Sequence, residues 1–125
     1  RVPYAASISL AHPADTLRKM GHALENRGFR FLHILSPCPT GWKSEPAEGI
    51  ELVRLAVESG LYPVCEYFAD GELKINVEPS FADGCLESYV AMQGRFQKGH
   101  MDLNEVRSQI RRHWRELRAR ASAKE

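Results

Sequence analysis

Cysteine is scarce in this sequence. Its 125 residues hold three, Cys38, Cys65 and Cys85, and no Cys-x-x-Cys pair. An odd number at wide spacing excludes a secreted disulfide framework, and the missing pair excludes a self-contained zinc or iron–sulfur site. Any metal bound by this chain must draw ligands from elsewhere, and the compartment is read as reducing and cytoplasmic. An excess of one charge is lacking too. A formal net charge of +1 among 26% charged residues excludes binding to nucleic acid or anionic membrane by bulk electrostatics. No apolar run approaches the ~20 residues that cross a bilayer, and no basic stretch with an apolar core marks a signal peptide. The chain begins on Arg1 rather than Met, so a processed, truncated or partial chain is expected.

What is present is α/β in pattern. Residues Val2 to Leu10 read as a strand, and His12-Pro13 opens a helix because proline suits the first helical position. Leu17, Met20, Gly21 and Leu24 recur at helical spacing as the apolar stripe, with Arg18, Lys19, Glu25 and Arg27 mostly elsewhere. Gly28 ends the helix. The near-continuous apolar run Phe29 to Ser36 reads as a strand buried on both faces of a parallel sheet. A second helix is expected from about Pro46 to Ser59, on Ile50, Val53, Ala56 and Val57. Pro63–Phe68 and Glu72–Val77 flank Ala69-Asp70-Gly71 as a hairpin. A helix follows from about Cys85 to Gln93. The last helix has an Asp102/Glu105 capping pattern and an apolar stripe of Leu103, Val106, Ile110, Trp114 and Leu117. Arg107, Arg111, Arg112, Arg115, Arg118 and Arg120 lie opposite that stripe. The tail from Ala121 to Glu125 is expected to fray.

The buried strand needs neighbours on both sides. The first strand is one. The other is either the hairpin, within a small α+β domain, or further strands outside this sequence, which parallel sheets usually have.

Cys38 stands out chemically. It lies between Pro37 and Pro39, beside Gly41 and Trp42, at the carboxyl end of a strand, where open α/β sheets bind ligands. Such a stiff loop suits metal ligation or a catalytic thiolate better than packing alone. Cys65 and Cys85 read as structural or surface thiols, and His22 and His113 as solvated helix residues. His33 falls on the face opposite Cys38, which weakens a local Cys–His pair. The arginine-rich helix reads as solvated or subunit-facing.

The chain resembles the C-terminal part of the β subunit of 2-oxoacid:ferredoxin oxidoreductases, the pyruvate:ferredoxin oxidoreductase group. The matching segments, in order, are VPYAASISLAHPADTLRKM (2–20), FLHILSPCPTGW (31–42), IELVRLAVESGLYPVCEY (50–67) and YVAMQGRF (89–96). The resemblance implies the C-terminal portion of a thiamine-diphosphate-binding-type parallel-sheet domain over 1–60. A hairpin and helical extension would cover 61–125. It implies an enzyme that decarboxylates a 2-oxoacid, forms an acyl-CoA and passes electrons through 4Fe–4S clusters to ferredoxin, alongside other subunits. Pyruvate is the default substrate, with branched-chain or aryl 2-oxoacids, and NAD as acceptor, as alternatives. Three cluster cysteines of the family lie upstream; the fourth, in the PCPTGW-type turn, maps onto Cys38. The family's Gly-Asp-Gly…Asn motif, which anchors Mg²⁺ and the diphosphate, has no counterpart. Here Asp70-Gly71 and Asp83-Gly84 each follow alanine. The isolated chain is therefore expected to bind neither thiamine diphosphate nor a complete cluster, and to be inactive alone. A non-catalytic interaction domain using the arginine-rich helix is the competing reading.

Overall fold

The computed structural model describes residues 2–123. Its single sheet has four strands in the order β2-β1-β3-β4. β1 (Tyr4–Ser9) runs parallel to β2 (Arg30–Leu35) with Tyr4 opposite Arg30 and Ser9 opposite Leu35. Helix α1 (Pro13–Glu25) connects them. The hairpin of β3 (Val64–Phe68) and β4 (Leu73–Val77) supplies the second neighbour of β1, with Tyr4 opposite Phe68 and Ala6 opposite Glu66, antiparallel. The fold is thus α/β, a mixed open sheet containing a parallel pair and flanked by helices, as expected.

Strand alternation assigns the faces. Tyr4, Ala6 and Glu66 point to α1, and Ala23 of that helix packs on Tyr4 and Ala6. Cys65 and Leu73 point the other way, into a core with Leu86, Ile110, Trp114 and Leu117. The last three belong to α5 (Leu103–Ser122), whose N-terminus Asp102 caps by accepting from Asn104 N–H at 2.9 Å and Glu105 N–H at 3.3 Å. Glu105 does not complete a capping box; its carboxylate accepts from Gln109 instead. Between these elements, α2 is the single turn Pro39–Trp42. α3 (Gly49–Glu58) and α4 (Cys85–Ala91) pack on each other through Leu52, Leu55, Ala56, Cys85 and Tyr89. Gly60 needs its left-handed φ of 79°, and a Cβ there would lie 2.6 Å from Phe81 and 2.8 Å from Trp114 Nε1. That indole N–H donates to Gly60 O at 2.8 Å.

Besides the capping box, four expectations about burial and helix starts are corrected. First, the Phe29–Ser36 run is not buried on both faces. β2 is an edge strand here, and Phe29, Phe31 and Ile34 are exposed. Second, α1 turns its apolar stripe outward: Leu17 is 70% exposed and Leu24 81%, while Lys19 is fully buried. The physical reason is a polar network beneath the helix. Lys19 Nζ donates to Ser7 O at 2.8 Å and lies 2.7 Å from Asp15 Oδ2. Arg18 forks onto Glu66 at 3.0 and 2.9 Å, the bidentate geometry that suits guanidinium and carboxylate. Tyr4 and Asn76 each add a hydrogen bond to Glu66 at 2.7 Å. Third, His22 is half-buried rather than solvated, its ring edge-on to Tyr4 at 4.6 Å. Fourth, the second helix begins as a 3-10 turn, Pro46–Glu48, and leaves Ile50 exposed. At the tail, Ala121 and Ser122 are helical; Lys124 and Glu125 lie outside the described residues, as does Arg1.

Candidate metal-ligating turn

The parallel pair sends the ends of β1 and β2 to the same edge of the sheet. Beyond Leu35, Pro37 restricts the backbone and packs against the start of α3. A Cβ on Gly49 would come within 2.9 Å of the Pro37 ring, so glycine is what permits that contact. Cys38 then occupies the N-cap of α2. Its carbonyl accepts from Trp42 N–H at 2.8 Å, and Ser44 N–H closes on Pro39 O at 3.1 Å. Lys43 ends the turn in the left-handed region with φ 53°.

The sulfur is exposed and receives one hydrogen bond, from Gly41 N–H at 3.3 Å. A side chain at 41 would put its Cβ 3.1 Å from that sulfur. Glycine therefore lets a backbone donor approach Sγ. The other thiols are unlike it. Burial pushes Cys65 up to about 11. Burial also raises Cys85, whose Sγ donates to Glu58 at 3.5 Å. Both are buried. His33 is turned toward Phe31 and Tyr62, with ring centroids 6.5 and 5.5 Å away.

Among the described residues, no group of three or more His, Cys, Asp or Glu side chains could hold a metal. Of the three cysteines, only Cys38 is exposed. The two Asp-Gly pairs lie in different settings. Asp70-Gly71 sits in the hairpin turn, where Asp70 accepts from Glu72 N–H at 2.9 Å. Asp83-Gly84 leads from a loop into α4. No described helix is long and apolar enough to cross a membrane.

One neighbourhood was not legible as a unit in the sequence. The Gln93-Gly94-Arg95-Phe96 segment folds onto the Cys38 turn. Gly94 N–H donates to Lys43 O at 3.0 Å. The Arg95 guanidinium lies 4.6 Å from the ring centroids of both Trp42 and Phe96. In the sequence only the resemblance links the two segments, which carry it in combination and are weak alone.

A parallel β–α–β unit whose second strand runs into an exposed, glycine-assisted cysteine turn is a piece of an α/β domain. Comparison with known proteins gives the family. The ketoisovalerate oxidoreductase subunit VorB of Pyrococcus furiosus is 35% identical over 120 residues, covering 94% of this chain and 38% of the relative. The pyruvate synthase subunit PorB of the same organism is 31% identical over 136 residues, covering 94% of this chain and 41% of the relative. PorB of Methanocaldococcus jannaschii is 38% identical over 96 residues, covering 77% and 32%. No family model matches the sequence. The chain belongs to the family of 2-oxoacid:ferredoxin oxidoreductase β subunits. It spans about two fifths of the length of the relatives it matches.

Proposed function

We propose that this chain is the C-terminal part of a β subunit in a multisubunit 2-oxoacid oxidoreductase, and that Cys38 supplies one thiolate to a 4Fe–4S cluster. The complete enzyme would oxidatively decarboxylate a 2-oxoacid, pyruvate by default, to an acyl-CoA and CO2, with ferredoxin as acceptor. Relatives named for ketoisovalerate and for pyruvate support both a branched-chain substrate and the default. Thiamine diphosphate with Mg²⁺ would be held by parts of the enzyme other than these residues, and the chain alone would be inactive. The unbridged cysteines support a reducing, cytoplasmic setting.

The observation that carries the reading is the Cys38 turn: an exposed cysteine, stiffened on both sides and offered a backbone donor, with no metal-holding cluster of His, Cys, Asp or Glu among the described residues. A cluster takes four cysteine thiolates and supplies one-electron transfer when bound. What these residues contribute is aim. Pro37, Gly49 and the Trp42 N–H bond fix the backbone, and Gly41 keeps its donor on the sulfur. The exposed stripe of α1 and the open edge of β2 support burial against other parts of an assembly, since isolated domains rarely leave such faces bare.

The test is Cys38→Ala in the assembled enzyme, read by iron content and reduced EPR spectrum. One cluster signal should disappear; an unchanged spectrum and iron count refute the assignment. The interaction-domain reading has less support. Arg107 is engaged with Glu87, and Arg118 with Glu78 and the faces of Phe81 and Trp114, so these two arginines fasten α5 to its own domain.

A further inference from the structure

We infer that Arg95 is a positioning residue for Cys38, holding the turn that aims the sulfur. This rests on the reading of Cys38 as a cluster ligand, and it gives a role to the Gln93–Phe96 segment, which that reading leaves unused.

The contacts converge from separate directions. The planar guanidinium of Arg95 lies between two aromatic rings, each 4.6 Å from it, and Arg95 Nη2 donates to Tyr89 Oη at 3.3 Å. The Tyr89 ring in turn meets Trp42 and Phe96, with centroids 6.4 Å away in both cases. Next to this stack, Gly94 N–H holds Lys43 O. A Cβ at 94 would lie 2.9 Å from the Lys43 Cβ and 3.2 Å from its carbonyl oxygen, so only glycine lets the two segments close to this distance. Behind them Gln93 is fully buried, its Nε2 donating to Tyr89 O at 2.6 Å. It roots the segment in α4.

The route to the sulfur is short. Trp42 is gripped by Arg95 through its ring and grips Cys38 through its N–H. Lys43, gripped by Gly94, is the left-handed residue that ends the same turn. Both ends of the stretch carrying Cys38 and the Gly41 donor are thus tied down, by Pro37 on Gly49 and by Trp42–Lys43 on Gly94–Arg95. A ligand held this way is already ordered before it binds, which lowers the entropy lost on ligation. Partners that orient a metal ligand are typically worth about 10–100-fold in metal retention. Lysine cannot substitute: a compact ammonium has no flat face to lie between two rings.

The experiment uses the assembled enzyme carrying Arg95→Ala or Arg95→Lys, with Cys38→Ala and Arg118→Ala beside them. Arg118 is the control, because it also rests on aromatic rings, 5.8 and 5.5 Å from Phe81 and Trp114, but touches nothing in the turn. Each protein is challenged with an iron chelator while cluster absorbance is followed, and its reduced EPR spectrum is recorded. The signal removed by Cys38→Ala should bleach about tenfold faster in both Arg95 variants, with altered line shape, and should be unchanged in Arg118→Ala. If Cys38→Ala removes a signal that both Arg95 variants keep at wild-type lifetime and shape, the positioning role is overturned while the ligand assignment stands. If Arg118→Ala bleaches as fast as the Arg95 variants, the effect is general loosening and the inference falls. If Cys38→Ala leaves signal and iron unchanged, the ligand assignment fails and takes the positioning role with it.

Discussion

Glu66→Gln tests the polar network under α1 in quantitative terms. Glu66 is 1% exposed and receives four hydrogen bonds from Tyr4, Arg18 and Asn76. Burial pushes its carboxyl up, but the bonds from Arg18, Tyr4 and Asn76 outweigh burial and hold it down at about 2, from an ordinary 4.5. A folded value below the unfolded one means that the folded state favours the carboxylate. The resulting stability is complete above about pH 4.5 and drains away as pH falls toward 2. At about 1.4 kcal/mol per pH unit the linkage is worth about 3 kcal/mol. Arg18 is 47% exposed, and solvent screens its share, which leaves about 2–3 kcal/mol. Urea unfolding of wild type and Glu66→Gln, followed by tryptophan fluorescence at pH 7 and pH 3, measures it. The gap should be about 2–3 kcal/mol at pH 7 and should narrow markedly at pH 3. The difference cancels the other carboxylates, which titrate in both proteins. A gap under about 1 kcal/mol at pH 7, or one that is the same at both pH values, refutes the reasoning.

Other perturbations test separate parts of the structure. Lys19→Met leaves the Ser7 carbonyl and the Asp15 carboxylate without their shared partner and should cost about 2–4 kcal/mol in urea midpoint terms; a stabilised variant would contradict the pairing. Gly60→Ala forces a side chain into left-handed backbone and into Phe81 and Trp114, so it should destabilise by more than about 3 kcal/mol, whereas Gly84→Ala, strained but with open space around it, should cost about 1 kcal/mol. Alkylation at pH 8 followed by peptide mass mapping should modify Cys38 and spare Cys65, whose thiol is buried and raised to about 11; labelling of Cys65 in the folded protein would contradict its burial. Leu24→Asp should leave the melting temperature of the chain nearly unchanged, because that side chain is 81% exposed, yet weaken the assembled enzyme.

Local punctuation in the sequence located most elements within a residue or two. Pro13, Gly60, the Ala69-Asp70-Gly71 turn and Asp102 act on their own neighbourhoods, so their effects are visible without tertiary structure. The facing of α1 was not. Periodicity separates an apolar from a polar side of a helix and says nothing about which side meets the sheet. Here Glu66, 48 positions from Arg18, decides it, and a lone acid in an apolar strand was the available hint. The burial of β2 failed for a related reason: an apolar run reports what the strand needs, and among the described residues only β1 lies beside it. Cys38 was legible because proline and glycine stiffen its own loop. The grip of Arg95 was not, since Trp42 and Arg95 belong to segments that only the folded chain brings together.

The central place of β1 has a consequence for how the chain is made. β1 is the first strand of the sequence given, yet its two partners lie far downstream, with Tyr4 opposite Arg30 on one side and Phe68 on the other. At a synthesis rate of about 5–20 residues per second, the second flank of β1 stays open for roughly 3–13 s after the strand emerges. The backbone groups on that flank and the Tyr4 hydroxyl then have no final partner, and contacts this distant in sequence are slow to form in any case. Completion of the sheet waits on the β3–β4 hairpin, so slowed translation between residues 35 and 64 would lengthen the interval in which the strand can pair with a neighbouring nascent chain.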